Sequence, residues 1–200
     1  YYSRYTDFIA EIDFTQAVPN GLTGAKVNDD ATVRQQIIDG TIPTQRFGFD
    51  INAEGNVEAQ GWAAQVDYNF NQGYYAGGNV AFNQLISQAD LIAQGFRAAY
   101  NTPEYRFNVK VGNRKITDRI GFQVSYRWQQ AFLWESSFGV GVIPEFGTLD
   151  AQVTYKIPEW KSSLKIGGSN ILNERYTTSF GNPTLGSIYY VQFTFDEFFN

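Results

Sequence analysis

From Ile120 to Gln129 the chain alternates without an error: Ile120, Phe122, Val124, Tyr126 and Trp128 hold one parity, and Gly121, Gln123, Ser125, Arg127 and Gln129 the other. A β-strand sends successive side chains to opposite faces, so this pattern predicts a strand with one apolar and one polar face. The same period recurs where Tyr105, Phe107, Val109 and Val111 alternate with Arg106, Asn108 and Lys110. It recurs again through Leu149, Ala151, Val153, Tyr155 and Ile157, and through Trp62, Ala64, Val66, Tyr68 and Phe70. Weaker versions run through Phe8 to Phe14, Phe47 to Ile51, Tyr74 to Phe82 and Tyr189 to Phe195. With 44–70 counted as one long strand bulged at Glu54-Gly55-Asn56, about eight strands result.

The connections alternate in length. Asn71-Gln72-Gly73, Ile116 to Arg119 and Pro158 to Ser162 are short turns built on Gly, Asp or Pro, whereas 15–43, 88–103, 139–146 and 179–186 are longer. Helix-like patches lie in two of the long ones, at Asp29 to Ile38 and Ser87 to Ala99. Short turns at one end and long loops at the other are the asymmetry of outer-membrane barrels, whose short turns face the periplasm. The expected fold is therefore all-β, a transmembrane antiparallel up-and-down barrel in one domain.

Composition supports that choice over a helical membrane protein. Aromatic residues reach 17%, yet the chain is polar on average and contains no run of eighteen apolar residues. A barrel reconciles the two, because lipid-facing and lumen-facing positions alternate. A net charge of -5 with no basic run in the sequence argues against a nucleic-acid partner. With no Cys and no His there is no thiol nucleophile, disulfide or Ser-His-Asp arrangement, and no enzyme activity is expected. The chain has no Met and opens on Tyr1-Tyr2-Ser3-Arg4-Tyr5, already strand-like, which reads as an internal or C-terminal piece without a signal peptide.

Asn28-Asp29-Asp30 lacks the remaining ligands and the glycine of a calcium loop, so no metal or other cofactor is predicted. Arg46, Asp50, Asp67, Arg106, Lys110, Arg127, Asp150 and Lys156 would be costly toward lipid and must face a wet interior, paired with one another or with water. Tyr74, Tyr75, Trp128, Trp134 and Trp160 fall near strand ends and suit an interfacial aromatic girdle. Trp134, Phe138 and Phe146, toward an outer loop, are the candidate ligand-binding platform.

The run Gly168-Ser169-Asn170-Ile171-Leu172-Asn173-Glu174-Arg175-Tyr176 resembles the penultimate-strand signature of TonB-dependent outer-membrane receptors, carried here by Asn170, Leu172, Asn173 and Tyr176. Thr177 to Phe199 resembles that family's last hairpin, with Tyr189, Val191, Phe193, Phe195 and Phe199 on the terminal strand that barrel-assembly machinery reads. Tyr1 to Ile9 and Asn56 to Trp62 are similar to further strands of the family. Two departures are Ser187, where an Arg often stands, and an ending on Phe198-Phe199-Asn200. The resemblance implies that residues 1–200 are the C-terminal portion of a larger, 22-stranded type of barrel in the outer membrane of a Gram-negative bacterium. It also implies, elsewhere in the protein, further N-terminal strands, a plug domain and a segment that contacts TonB, with uptake of a siderophore, vitamin, oligosaccharide or peptide as the function. The alternatives are a self-contained eight-stranded outer-membrane barrel with a structural or adhesion role, and a soluble lipocalin-like barrel with an apolar ligand inside.

Overall fold

The computed structural model describes residues 1–17, 25–26, 44–93, 98–136 and 139–195, with side chains over 1–7, 9, 52–93, 98–136 and 140–195. The strands are β1 (Tyr2–Ala17), β2 (Ala25–Lys26), β3 (Thr44–Asn69), β4 (Tyr74–Ser87), β5 (Tyr105–Asn113), β6 (Ile120–Gln129), β7 (Phe132–Ser136), β8 (Gly139–Ile143), β9 (Phe146–Ile157), β10 (Ser162–Ser169) and β11 (Ile188–Phe195). One short helix, Ala89–Ala93, follows β4, inside the second helix-like patch; the first patch, the Asn28-Asp29-Asp30 run and Phe199 lie outside the described residues. Contacts divide the chain into a larger unit, Tyr1 with Gln60–Gln84 and Tyr100–Asn200, and a smaller one, Tyr2–Ala59 with Leu85–Ala99.

The larger unit is an antiparallel meander in the order β11-β10-β9-β6-β5-β4-β3. Each short turn is closed by its own backbone. Phe70 N–H donates to the Tyr74 carbonyl (2.8 Å), Ile116 N–H to that of Ile120 (2.9 Å) and Lys161 N–H to that of Pro158 (3.0 Å). Gly73 at φ +80 and Lys161 at φ 47 supply the left-handed residues that such tight reversals need. Between β6 and β9 the chain departs into a separate hairpin, β7–β8, whose second strand falls in the expected connection 139–146. Phe132-Leu133-Trp134 is apolar on both parities, so the period-two signal is absent there although the strand is present.

In the smaller unit β1 lies between β2 and β3, and the described core is Ala53, Val57, Leu91 and Ala98, with Leu85 packed against it. At Glu54-Gly55-Asn56, where a bulge is expected, Gly55 takes φ +108, and the Asp90 side chain closes on it and accepts the Asn56 N–H at 3.0 Å. β3 nevertheless continues through it as one strand of 26 residues.

Register decides which side chains share a face. Gly78, Val109, Tyr126 and Leu149 form one cross-strand row, and Val111, Val124, Ala151, Gly168 and Tyr189 another. Asn79, Asn108, Arg127 and Thr148 form a row of opposite parity, as do Gly77, Lys110, Ser125 and Asp150, and Ser169 Oγ donates to Asp150 Oδ1 at 2.8 Å. The alternation written in each strand is thus preserved from strand to strand, and a slip of one residue at any ladder would have mixed the two sets. The apolar set stays uncovered: Val66 and Val191 are each 71% exposed, Phe195 63% and Ile166 54%.

Candidate functional site: the polar face of the meander

Within the larger unit, register and contacts gather Arg106, Lys110, Arg127, Lys156 and Lys165 on the polar face, together with Arg114, whose guanidinium sits 5.3 Å from the centre of the Tyr75 ring. Two acids, Asp67 and Asp150, share it. The sequence shows no basic run because these cations are scattered along the chain, and antiparallel pairing brings them onto one side. Lys110 is paired with Asp67 at 2.7 Å, and Gln65 donates to the same carboxylate at 2.6 Å. A Cβ at Gly77 of β4 would collide with both partners, so the glycine is what lets the pair close over the intervening strand.

The same device, with tyrosine in place of an ion pair, appears in one row across six strands: Tyr75, Gly112, Gln123, Gln152, Gly167 and Tyr190. Tyr75 lies over Gly112 and its hydroxyl donates to Gln123 Oε1 at 2.9 Å. Tyr190 lies over Gly167 and donates to Gln152 Oε1, also at 2.9 Å. The row is therefore symmetric about its two central glutamines. Tyr1 repeats the theme over Gly61, its hydroxyl 3.1 Å from Asn83 Oδ1. Tyr75 was expected in an interfacial girdle; its ring instead belongs to the polar face. Tyr74, of opposite parity, stands on the apolar face as expected.

At the end of the long connections the polar face opens into a concave pocket of 520 Å³, lined among others by Arg106, Asn108, Arg127, Gln129, Phe146 and Gln65. Arg127 donates from Nε to Thr148 Oγ1 (2.6 Å) and from Nη2 to Tyr176 Oη (3.3 Å). The Tyr176 ring stacks on Phe146 with centroids 4.1 Å apart. Of the proposed platform, Phe146 is thus at the pocket. Trp134 lies on β7 with Phe132 as its ring neighbour (6.4 Å) and its indole N–H buried without a hydrogen-bond partner among the described residues, and Phe138 lies outside them. The sequence reading missed the arginine pair and the Phe146–Tyr176 stack; shared parity of Arg106 and Arg127 on neighbouring strands was the available signal.

The signature residues fasten the loop that carries Tyr176. Asn170 is buried, adopts φ 54, and brackets Glu174 with both ends of its amide: Nδ2 donates to the Glu174 carbonyl (2.7 Å) and Oδ1 accepts the Glu174 N–H (2.9 Å). Its own N–H donates to Asp150 Oδ1 at 2.7 Å. Asn173, also left-handed at φ 56, accepts the Ser187 N–H at 3.2 Å, and Ser187 Oγ donates to the Asn170 carbonyl at 2.6 Å. The serine that departs from the family pattern therefore ties the two ends of the loop together. Leu172 is exposed, and Tyr189, Val191, Phe193 and Phe195 stand exposed on one face of β11.

At the opposite end, two short turns are joined by Arg119 and Glu159. A hydrogen bond from its own backbone, then the Arg119 guanidinium, holds the Glu159 carboxyl below the usual glutamate range. Lys115, 3.0 Å from Asp118, lowers that carboxyl likewise. Among the described residues no group of three potential ligands could hold a metal ion.

No family profile and no curated protein sequence matches the chain. Two solved structures share its arrangement. One is the siderophore receptor PiuA of Acinetobacter baumannii, with a TM-score of 0.52 and 11% identity over 73% of this chain and 21% of that one. The other is the ferric enterobactin receptor PfeA of Pseudomonas aeruginosa, in mutant form, with a TM-score of 0.53 and 13% identity over 94% of this chain and 27% of that one. The chain thus spans about a quarter of the length of these receptors. Identity so low speaks to fold alone, and what the chain shares with these two receptors is the arrangement of its antiparallel strands.

Proposed function

We propose that this chain is the C-terminal part of the wall of an outer-membrane receptor that takes up a scarce nutrient on energy delivered through TonB. The observation that carries the reading is the separation of faces by register. The exposed apolar rows from Trp62 to Phe195 form an uncovered surface far larger than the few hundred Å² that soluble proteins leave bare, and hydrocarbon is the surrounding that stabilises it. The charged rows then look into a wet lumen, with the long connections outside the cell and the short turns in the periplasm. β11 has one neighbour, β10, among the described strands, and all eight of its residues are exposed. An edge of unpaired amides is not tolerated in lipid, which favours a larger barrel whose further strands cover it over a self-contained eight-stranded one. A plug domain, TonB and the barrel-assembly machinery are the partners this reading entails. Among a siderophore, vitamin, oligosaccharide or peptide, the ligands in the names of PiuA and PfeA put an iron chelate first.

Because the chain has no cysteine, single probes are simple to place. In the whole receptor embedded in bilayers, a fluorophore on Val66→Cys or Val109→Cys is quenched by nitroxide-bearing lipid, and one on Gln65→Cys or Asn108→Cys is not. Quenching of the second pair and not of the first would overturn the reading.

A further inference from the structure

We propose that the Arg119–Glu159 pair, at the short-turn border of the apolar face, is a headgroup site for a zwitterionic phospholipid, the guanidinium taking the phosphate and the carboxylate the primary ammonium of phosphoethanolamine. The inference rests on the reading of the meander as a membrane wall and adds to it a lipid of defined chemistry at a defined place.

Position carries the first step. Register keeps Arg106, Lys110, Arg127, Lys156 and Lys165 on the polar face. Arg119 is placed differently: its guanidinium hydrogen-bonds the Tyr155 hydroxyl and Glu159, and these two contacts push its pKa up. Tyr155 belongs to the row Ile120, Tyr155, Leu164 and Phe193, which lies on the apolar face. A charged pair therefore stands where exposed aliphatic side chains, Val153 and Ile166 among them, give way to turn. Trp160 projects from the turn that holds Glu159, 65% exposed, and Ile116 from the turn that holds Arg119, 48% exposed. From strand to turn the surface thus runs from aliphatic to phenol to paired charges flanked by an indole. Acyl chain, ester and headgroup follow in that order through a bilayer leaflet, and amphipathic rings settle at their boundary.

The pair is held still and has valence to spare. The Arg119 carbonyl accepts the Lys156 N–H at 2.7 Å, and its N–H donates to Thr117 Oγ1 at 3.3 Å. The Lys161 N–H closes the other turn on the Pro158 carbonyl at 3.0 Å. With side chains 46% and 55% exposed, Arg119 and Glu159 keep donors and lone pairs open to a third group.

Charge then selects the lipid. A guanidinium fork suits phosphate oxygens, and a carboxylate beside it suits a group with N–H to donate. Phosphoethanolamine supplies both. Phosphocholine has no N–H on its nitrogen, and phosphoglycerol would set its anion beside Glu159 with no cation to offer.

The test places a fluorophore on Ile116→Cys in the whole protein, in phosphatidylcholine bilayers that contain a small fixed fraction of nitroxide-bearing lipid. Nitroxide phosphatidylethanolamine should gather at this probe about threefold over nitroxide phosphatidylcholine or phosphatidylglycerol, the factor one exposed charged contact supports. Glu159→Gln should erase the advantage of phosphatidylethanolamine, and Arg119→Gln should erase it too. Lys115→Gln, whose partner is Asp118 in its own turn, should leave it intact. A fluorophore on Val66→Cys, away from any headgroup, should be quenched alike by the three lipids in every background, which also reports that each variant keeps its wall. Equal quenching of the Ile116→Cys probe by the three lipids in the wild-type background overturns the proposal, and so does a preference that survives Arg119→Gln. Quenching at Val66→Cys without headgroup preference at Ile116→Cys removes the lipid site alone; no quenching at either probe removes the wall reading with it.

Discussion

Replacing Gly112 by alanine tests whether the tyrosine-over-glycine row is a fitted joint or an incidental contact. The new methyl would stand 2.5 Å from the Phe122 carbonyl oxygen, 2.5 Å from the Tyr75 hydroxyl and 2.6 Å from Tyr75 Cζ. No real Cβ tolerates such distances, so the ring must lift, abandoning its 2.9 Å hydrogen bond to Gln123, and the backbone carbonyl must give way. Overpacking costs about 1–3 kcal/mol. The lost hydrogen bond adds about 0.5–1.5 kcal/mol. Gly112→Ala should thus destabilise by about 3 kcal/mol, against about 1 kcal/mol for Tyr75→Phe, which keeps the ring and loses the hydroxyl. In a Tyr75→Ala background the ring is already gone, and Gly112→Ala should then cost at least about 1 kcal/mol less, a coupling within the range for residues in contact. Urea unfolding of the refolded protein, monitored by tryptophan fluorescence, measures all four corners of the cycle. Strict additivity, within about 0.5 kcal/mol, would refute the joint. Gly167 with Tyr190 is the mirror experiment and should give the same sign, since a Cβ there would meet the Tyr190 hydroxyl at 2.6 Å.

The loop clamp and the short turns give two further outcomes. Asn170→Ala removes both amide bonds to Glu174 and forces alanine into a left-handed conformation, for a loss of about 2–4 kcal/mol and new protease cleavage between 171 and 187; Asn170→Gly, free of the backbone strain, should cost measurably less, and equal losses would show that the left-handed conformation contributes nothing. Because the Glu159 pKa is depressed in the folded protein, its contribution is present above the ordinary glutamate value and is lost as pH falls through the lower, folded one. The melting temperature of Glu159→Gln should therefore trail the wild type at neutral pH and converge with it in acid, and a gap that persists there would mean the charge is not involved.

How far the sequence alone could go depended on which quantity each feature needs. Strands need only parity, and Ile120–Gln129 coincides with β6 while Tyr105 to Val111 falls two residues short of the end of β5. Turns need only local residue chemistry, and Asn71–Gly73 and Pro158–Trp160 stand where Gly and Pro placed them. β7 was not legible because Phe132-Leu133-Trp134 writes no alternation. Tyr75 failed for another reason: an aromatic at a strand end reads as girdle unless one knows that a glycine lies directly across from it, and that is a fact of register. The same holds for the arginine pair, 21 residues apart in sequence and diagonal neighbours in the sheet.

Net charge conceals this grouping for a related reason. A chain of formal charge -5 carries, among the described residues, six cations against two acids on the polar face of the meander. Total charge governs solubility and long-range steering, whereas what a solute meets inside a wall is set by parity and register. Moving Arg106 by a single position in its strand would leave the total at -5 and turn the guanidinium to the face that bears Val109 and Val111. On the proposed membrane setting an exposed cation there costs about 2–4 kcal/mol at mid-depth, so the alternation that leaves one face of the meander apolar also confines the arginines to the other.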